Sequence, residues 1–285
     1  RSGGRARGDT LTEAAGHYRY PWGPREALVG IGGFLGVLIA VNVVIVVVMI
    51  ARGDEFVPSD VGDAFEKAAE VARYADKRLQ AAATGAGLPD PPELVADQGS
   101  IQLSLIATLI SQGALFAIVG IASKQTFREL VDALGLNRFD IAGMWVPALM
   151  VLVAYAGTVA WVVAADASGI SWLESSSTVP HEITRDDLTV SIAAVVTVLG
   201  APLSEELFFR GLVFSGLLKW GFWPAAATSG LMFSLVHFDP GSMVPFFMIA
   251  VMLSWVYYRR RSLWDAIVFH LLFNLMSFSI LVGTS

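Results

Sequence analysis

The chain has no cysteine, few charged residues and few histidines. Among its 285 residues, 15% are charged and 4 are histidine. Without cysteine, the protein can form neither a disulfide nor a thiolate metal site, although this identifies no compartment. The lysines and arginines form no basic block, so we expect no nucleic-acid partner.

Hydrophobic residues make up 55% of the chain and gather into long runs instead of alternating with polar ones. Runs of this kind are typical of membrane-spanning helices. The sequence therefore predicts an all-α, polytopic integral membrane helix bundle with about seven transmembrane helices, which has the lipid bilayer as a partner. The predicted helices are 27–51, 101–122, 144–164, 188–218, 223–238, 243–258 and 263–281.

The distribution of arginine and lysine predicts the orientation in the membrane. Basic residues precede the first span and lie in the connections 123–143 and 259–262, whereas the connection 165–187 is mostly acidic. Seven spans place every basic connection on one side, so the positive-inside rule predicts a cytoplasmic N-terminus and an external C-terminus. The first apolar run is too long for a cleaved signal peptide, and we interpret it as a retained span.

Three regions follow from this order of spans. Residues 1–26 form a cytoplasmic N-terminal tail, residues 27–187 hold N-terminal transmembrane helices with an external loop at 52–100, and residues 188–285 form a helix bundle that carries most of the buried polar residues. This bundle contains the last four predicted spans.

Two connections have helical patterns of their own. Residues 60–83 have apolar side chains at helical spacing, which indicates a solvated helix on the outer surface; a lid over the site is the alternative. Residues 123–136 resemble an amphipathic helix along the cytoplasmic interface.

The segment "LSEELFFRGLVF" (residues 203–214) places charged residues inside a predicted span. Each charge costs roughly 2.5–3.5 kcal/mol in lipid, so these side chains should face the bundle interior. Glu206 and Arg210 are spaced i, i+4 and can form an ion pair, while Glu205 points about 100° away and can face a cavity. Pro202 removes a backbone hydrogen bond to Val198, which can kink the helix and admit water.

Two later segments add polar side chains to predicted spans. "FSLVH" contains Phe233 and His237, and "HLLFN" contains His270 and Asn274, both pairs at i, i+4 spacing. Ionisable residues inside membranes normally face the bundle interior or a wet cavity, so we expect these side chains to meet Glu205. His237 would lie too far outward unless its helix tilts or "DPGS" (residues 239–242) dips inward.

The three motifs Glu205-Glu206-x-x-x-Arg210, Phe233-x-x-x-His237 and His270-x-x-x-Asn274 occur in this order on successive helices. Together they resemble the CPBP family of CAAX-protease and bacteriocin-processing membrane proteins, also called the Abi family. The resemblance covers about 188–281. The resemblance implies that residues 188–285 are the catalytic helix bundle.

The resemblance implies an intramembrane endopeptidase that hydrolyses membrane-associated peptides or proteins. In this family the residue matching Glu205 is taken to activate water, with help from the one matching His237. The residues matching His270 and Asn274 would donate hydrogen bonds to the oxyanion. Glu206, Arg210 and Phe233 are then supporting residues.

Several alternatives stay open. A zinc-dependent protease could use His237, His270 and Glu206 or Glu205 as ligands, but we favour no cofactor because a His-Glu-x-x-His helix is absent. A non-enzymatic bacteriocin-immunity or membrane-protein-binding protein is a second alternative, and a proton-relay transporter is a third.

The sequence leaves the oligomeric state open and gives only circumstantial signs of the compartment. Its composition suits a bacterial plasma membrane, where we do not expect a prenylated substrate, because bacteria lack a general prenyl-CAAX pathway.

Overall fold

The computed structural model describes residues 20–52, 98–170, 173, 181–237 and 239–283. Regular structure throughout these residues is helical, which confirms the all-α fold. The described ranges contain eight α-helical elements: α1 Pro24–Arg52, α2 Gln98–Ser123, α3 Phe127–Ala133, α4 Trp145–Ser168, α5 Asp187–Trp220, α6 Phe222–Leu235, α7 Met243–Arg260 and α8 Leu263–Gly283.

Helices occupy all seven predicted span positions. Five of them, α1, α2, α4, α5 and α8, are long and apolar enough to cross a membrane. Helix α6 has only 14 residues, or about 21 Å against a hydrocarbon core of about 30 Å. Helix α7 ends in Arg259 and Arg260. The polytopic fold is confirmed, while the full count of seven crossings stays a prediction.

Helix α5 lies at the centre of the bundle and contacts α1, α2, α6, α7 and α8. Its side chains Phe208, Phe209 and Phe214 are all buried in the apolar core. Helix α1 packs closely against α5, and a Cβ added at Gly30 would clash with Leu212 Cδ2. The central position of α5 brings its charged residues within reach of several other helices.

The connections predicted to be cytoplasmic lie together at one end of the bundle. The rings of Tyr20, before α1, and Tyr257, in the last turn of α7, are 6.3 Å apart. Leu263 N–H, at the start of α8, donates to Leu134 O, just after α3, at 3.0 Å. We call this end, which comprises residues 20–26, 124–140 and 257–263, the basic end.

The opposite end joins α2 to α5 and α4 to the α6–α7 turn. Gln102 Nε2 donates to Thr189 Oγ1 at 2.9 Å, and Trp161 Nε1 donates to Gly241 O at 2.7 Å. Asp186 caps the N-terminus of α5 by accepting hydrogen bonds from Thr189 Oγ1–H at 2.7 Å and from its N–H at 2.8 Å. These bonds stabilise the carboxylate and lower the pKa of Asp186.

The predicted amphipathic segment 123–136 contains the short helix α3. Thr126 and Glu129 form a reciprocal capping box at its start, which fixes where the helix begins. Phe127 is 80% exposed, and Leu134, just after the helix, is buried against Gly211 of α5. The helix therefore lies on the bundle surface, and its place at the membrane interface stays a prediction. The predicted helix 60–83 lies outside the described residues.

Candidate active site

Glu206, Arg210 and His270 form a buried polar network in the bundle. Arg210 Nη1 donates to Glu206 Oε1 at 3.0 Å, and His270 Nδ1 lies 2.8 Å from the same oxygen. Arg210 Nη2 also donates to Ala250 O of α7 at 3.2 Å. Glu206 and Arg210 are fully buried and His270 is 5% exposed. The ion pair expected from the i, i+4 spacing is present, and it links three helices.

Phe233 of α6 contacts both the network and His237. Arg210 Cζ lies 4.6 Å from the centre of the Phe233 ring, an arrangement in which the ring face attracts the guanidinium. The ring centres of His270 and His237 lie 5.8 Å and 4.9 Å from that of Phe233. Phe233 therefore connects the buried ion pair to His237.

Glu205 and His237 line one cavity of about 330 Å³. Glu205 is partly exposed, and its buried Oε2 has no hydrogen-bond partner in the part of the chain that the structure describes. His237 Nδ1 lies 2.7 Å from Phe233 O. Because a carbonyl oxygen can only accept, Nδ1 carries the hydrogen and Nε2 is the remaining ring nitrogen. The structure thus brings the Glu205 carboxyl group and an oriented imidazole to the same cavity.

His237 lies in the turn after α6, because the helix ends at Leu235. The expectation that His237 belongs to a helix at 223–238 is therefore wrong at its C-terminal end. The His237 ring still contacts the residue four positions earlier, through a hydrogen bond to the Phe233 carbonyl.

The hydrogen bond lost at Pro202 is not the one expected. Val195–Gly200 form a π-helical stretch in which Ala201 N–H donates to Val196 O, five residues back. In this register the backbone N–H that a residue other than proline would have at position 202 would donate to Thr197 O instead of Val198 O. Asn274 Nδ2 donates to Thr197 O at 2.8 Å and so replaces the N–H that proline lacks.

The four candidate catalytic residues occupy two neighbouring places. Glu205 and His237 line the cavity, whereas neither His270 nor Asn274 is among its lining residues. His270 contacts Glu206, and Asn274 contacts the backbone of α5. The Phe233 ring contacts both histidines and so connects the two places.

The zinc alternative requires three ligands in one place. Within the described ranges no group of three or more His, Asp or Glu side chains could hold a metal ion. Glu206 and His270 are in contact, and the His237 ring contacts Phe233. The metal-free reaction stays a prediction.

Gln112 of α2 is a candidate that the motifs did not indicate. It is 5% exposed and lines the cavity with Glu205. Its Nε2 donates to Val196 O at 2.9 Å, while its buried Oε1 has no partner among the described residues. The available signal was the spacing of Ser104, Thr108 and Gln112, which places polar side chains on one face of an apolar helix.

A central polar network within a bundle of apolar helices defines a polytopic membrane protein with a candidate catalytic site. Residues 187–276 match the family described as "Type II CAAX prenyl endopeptidase Rce1-like". The match includes all the candidate residues from Glu205 to Asn274. Residues 187–276 are therefore similar to this family, and the resemblance based on the three motifs is confirmed.

One curated relative also carries a peptidase name. The chain is 28% identical over 86 residues to "Putative membrane peptidase YdiL" of Bacillus subtilis (strain 168). The aligned region is 30% of this chain and 35% of that protein, so the similarity spans about a third of each. No solved structure matches the chain.

Proposed function

We propose that the chain is an intramembrane endopeptidase in which Glu205 activates water to hydrolyse a peptide bond of a membrane-associated substrate. The observation that carries this proposal is the different environment of the two adjacent glutamates. Glu206 is paired with Arg210 and His270 through Oε1, whereas Glu205 lines the cavity and is in no ion pair among the described residues. A general base needs a free carboxylate within reach of a water molecule.

The cavity has room for the reaction. Its volume is about 330 Å³, and a water molecule occupies about 30 Å³ in the liquid. Several waters or part of a peptide chain can therefore reach Glu205 and His237. Apolar side chains such as Phe34 and Leu38 form part of the wall, which limits bulk water and strengthens electrostatic interactions.

In the proposed reaction, Glu205 takes a proton from the attacking water while His237 Nε2 orients that water. The water oxygen forms a bond to the scissile carbonyl carbon, and the carbonyl π electrons move to its oxygen. Glu205 then gives the proton to the amide nitrogen and the C–N bond breaks. The products are one carboxylic acid and one amine.

Asn274 and His270 are the proposed oxyanion donors, as the family resemblance implies. Asn274 has two side-chain N–H groups and uses one for Thr197 O, which leaves the second for the oxyanion. His270 Nδ1 faces Glu206, so Nε2 can donate to the oxyanion only in the imidazolium form of the ring. Neither residue is among those that line the cavity, so in this proposal the substrate carbonyl reaches beyond the cavity towards α8.

We also propose a plasma-membrane location with the N-terminus in the cytoplasm and the C-terminus outside. The basic end supports this orientation. It brings together residues 20–26, 124–140 and 257–263, and cytoplasmic connections are enriched in lysine and arginine. We propose that the substrate is a membrane-associated peptide or protein that needs no prenyl group.

A peptidase assay with metal removal tests the zinc alternative. The purified protein should keep its activity after exhaustive chelation, since the described residues offer no three-ligand site. Loss of activity that only added zinc restores would replace the metal-free mechanism by a zinc-dependent one.

The experiment that tests the function compares membrane peptides from cells that carry the intact protein, Glu205→Gln or Glu26→Gln. Glu26→Gln makes the same chemical change at the start of α1, outside the cavity lining. We expect fragments that appear with the intact protein and with Glu26→Gln but not with Glu205→Gln. Identical peptide sets in all three strains, with binding partners retained, would favour a non-enzymatic binding protein.

A further inference from the structure

Glu205 lies between two π-helical stretches of α5. The first is Val195–Gly200 and the second is Glu206–Phe214, while Ala201–Glu205 between them is α-helical. A π turn closes with an i, i+5 hydrogen bond and so holds one residue more than an α turn. Because both flanks contain such wide turns, one residue can pass from the first stretch to the second while the flanks keep their places. The segment between them would then turn by about 100°, the angle between adjacent side chains.

The register of this segment decides which side chain faces the cavity. Glu205 lines the cavity, whereas Ser204 is fully buried and donates to Gly200 O at 2.8 Å. If the first π stretch became α-helical, each residue of the segment would take the direction now held by the next one. Ser204 would then face the cavity, and Glu205 would turn to the direction of Glu206. The proposed base therefore faces the cavity only in the π register.

Pro202 makes the choice of register depend on a donor from outside the helix. Proline has no backbone N–H, so one carbonyl lacks its helical donor in either register. In the π register, Ala201 N–H donates to Val196 O. The carbonyl opposite Pro202 is then Thr197 O. In an α register, Ala201 N–H would serve Thr197 O, and Val198 O would lack its donor.

Asn274 of α8 supplies the missing donor at one of these two carbonyls. Its Nδ2 donates to Thr197 O at 2.8 Å. Adjacent carbonyls of a helix point about 100° apart, so a side chain placed at Thr197 O does not also serve Val198 O. A carbonyl left unpaired inside the bundle is destabilising. The Asn274 amide therefore favours the π register over the α register.

We propose that Asn274 is a positioning residue that holds α5 in the π register and thereby turns Glu205 into the cavity. This role uses the N–H that binds Thr197 O and leaves the other N–H for the oxyanion. Its meaning for catalysis rests on the proposed peptidase function, in which Glu205 is the base. The direction of Glu205 itself can be measured without any substrate.

Cysteine accessibility measures which side chain faces the cavity. The chain has no cysteine, so Ser204→Cys and Glu205→Cys each introduce a single thiol. The probe is a small charged methanethiosulfonate reagent, which modifies thiols that water reaches. Mass spectrometry of the protein in detergent gives the rate of modification. We expect the Glu205→Cys protein to be modified faster than the Ser204→Cys protein.

The variant Asn274→Leu removes the donor and keeps a side chain of similar size. Combined with each cysteine variant, it should lower the ratio of the Glu205→Cys rate to the Ser204→Cys rate. The expected fall is about tenfold or more, the change in population that follows when one carbonyl inside the bundle loses its donor. A general loosening of the bundle would raise both rates instead of shifting one against the other.

The matched control is Gln112→Leu. Gln112 Nε2 donates to the same π stretch, at Val196 O and 2.9 Å, but that carbonyl keeps the N–H of Ala201. Losing the Gln112 amide therefore leaves neither register with an additional unpaired carbonyl. The ratio of the two rates should stay as it is in the protein with intact Asn274.

An unchanged ratio in Asn274→Leu, or an equal fall in Gln112→Leu, would overturn the inference. If Asn274→Leu does not fold, Pro202→Ala gives the test, because its N–H can donate to Val198 O and removes the cost of the α register. The ratio should fall there too, and an unchanged ratio would contradict the proposal. Neither result alters the peptidase function, which fails separately if Glu205→Gln cleaves at the full rate.

Discussion

Glu206 and His270 are in contact through Oε1 and Nδ1 at 2.8 Å, and Arg210 Nη1 lies 3.0 Å from the same oxygen. The adjacent Glu205 is in no ion pair among the described residues, and it lines the cavity with His237. Two neighbouring residues of the same type therefore have separate environments. The first prediction follows from the buried Glu206, and the last from the partly exposed Glu205.

Removing Arg210 should destabilise the protein. Arg210→Ala leaves Glu206 buried without its charged partner, a loss on the order of 3–5 kcal/mol in unfolding free energy. It also removes the contacts with Ala250 O and the Phe233 ring. The melting temperature in detergent should fall, and cleavage activity should fall with it.

The double variant Glu206→Gln with Arg210→Ala is the matched control. Without the negative charge at position 206, part of the lost stability should return, while activity recovers less because His270 loses its anionic partner. A double variant no more stable than Arg210→Ala would show that the charge of Glu206 is not the source of the instability.

Asn274 and Pro202 should interact in a double-mutant cycle. Asn274→Ala leaves Thr197 O without its side-chain donor, which costs about 1–3 kcal/mol if the carbonyl stays buried. Pro202→Ala introduces an N–H that can donate to Thr197 O in the π-helical register. The double variant should therefore melt at a higher temperature than Asn274→Ala, yet remain inactive if Asn274 binds the oxyanion.

The melting temperatures of the four proteins in this cycle are the measurement. Strictly additive effects of the two substitutions would mean that Pro202 and Asn274 do not serve the same carbonyl.

Helix positions and the ion pair were predictable because each depends on local spacing. Glu206 and Arg210 are four residues apart, and this distance alone places them on one helix face. Asn274 and Gln112 instead donate to carbonyls 77 and 84 residues away in the chain. Their partners depend on helix packing and on the π-helical register of α5, neither of which a local pattern specifies.

The N-cap of α5 should make stability sensitive to acid. Hydrogen bonds from Thr189 lower the pKa of folded Asp186, so its contribution is complete above the unfolded pKa. The contribution is lost as pH falls through the unfolded value to the lower folded value. Between roughly pH 5 and 3, the melting temperature of the intact protein should therefore fall more than that of Asp186→Asn.

Asp187→Asn is the matched control for this pH series, since the neighbouring aspartate does not supply the cap. Its melting curve should retain the acid sensitivity of the intact protein. If Asp186→Asn were as sensitive to acid as the intact protein, the cap would not be the source of the acid sensitivity.

Reporter fusions test the orientation. Reporters after Gly135 and Arg261 should be cytoplasmic, because both positions lie at the basic end, where Leu134 bonds to Leu263. Reporters after Gly87 and at Ser285 should be external, as seven crossings require. A cytoplasmic C-terminus would make the seven-span topology wrong.

The most direct test of the proposed mechanism is the cleavage rate of purified Glu205→Gln on the peptide identified in cells, measured together with its melting temperature. Glutamine keeps the shape of Glu205, but it cannot act as the base, and no ion pair of the described structure is broken. We predict a rate lower by about 10²–10⁴-fold with a melting temperature close to that of the intact protein. A full cleavage rate, or a loss of stability as large as that of Arg210→Ala, would contradict the role of Glu205 as the base.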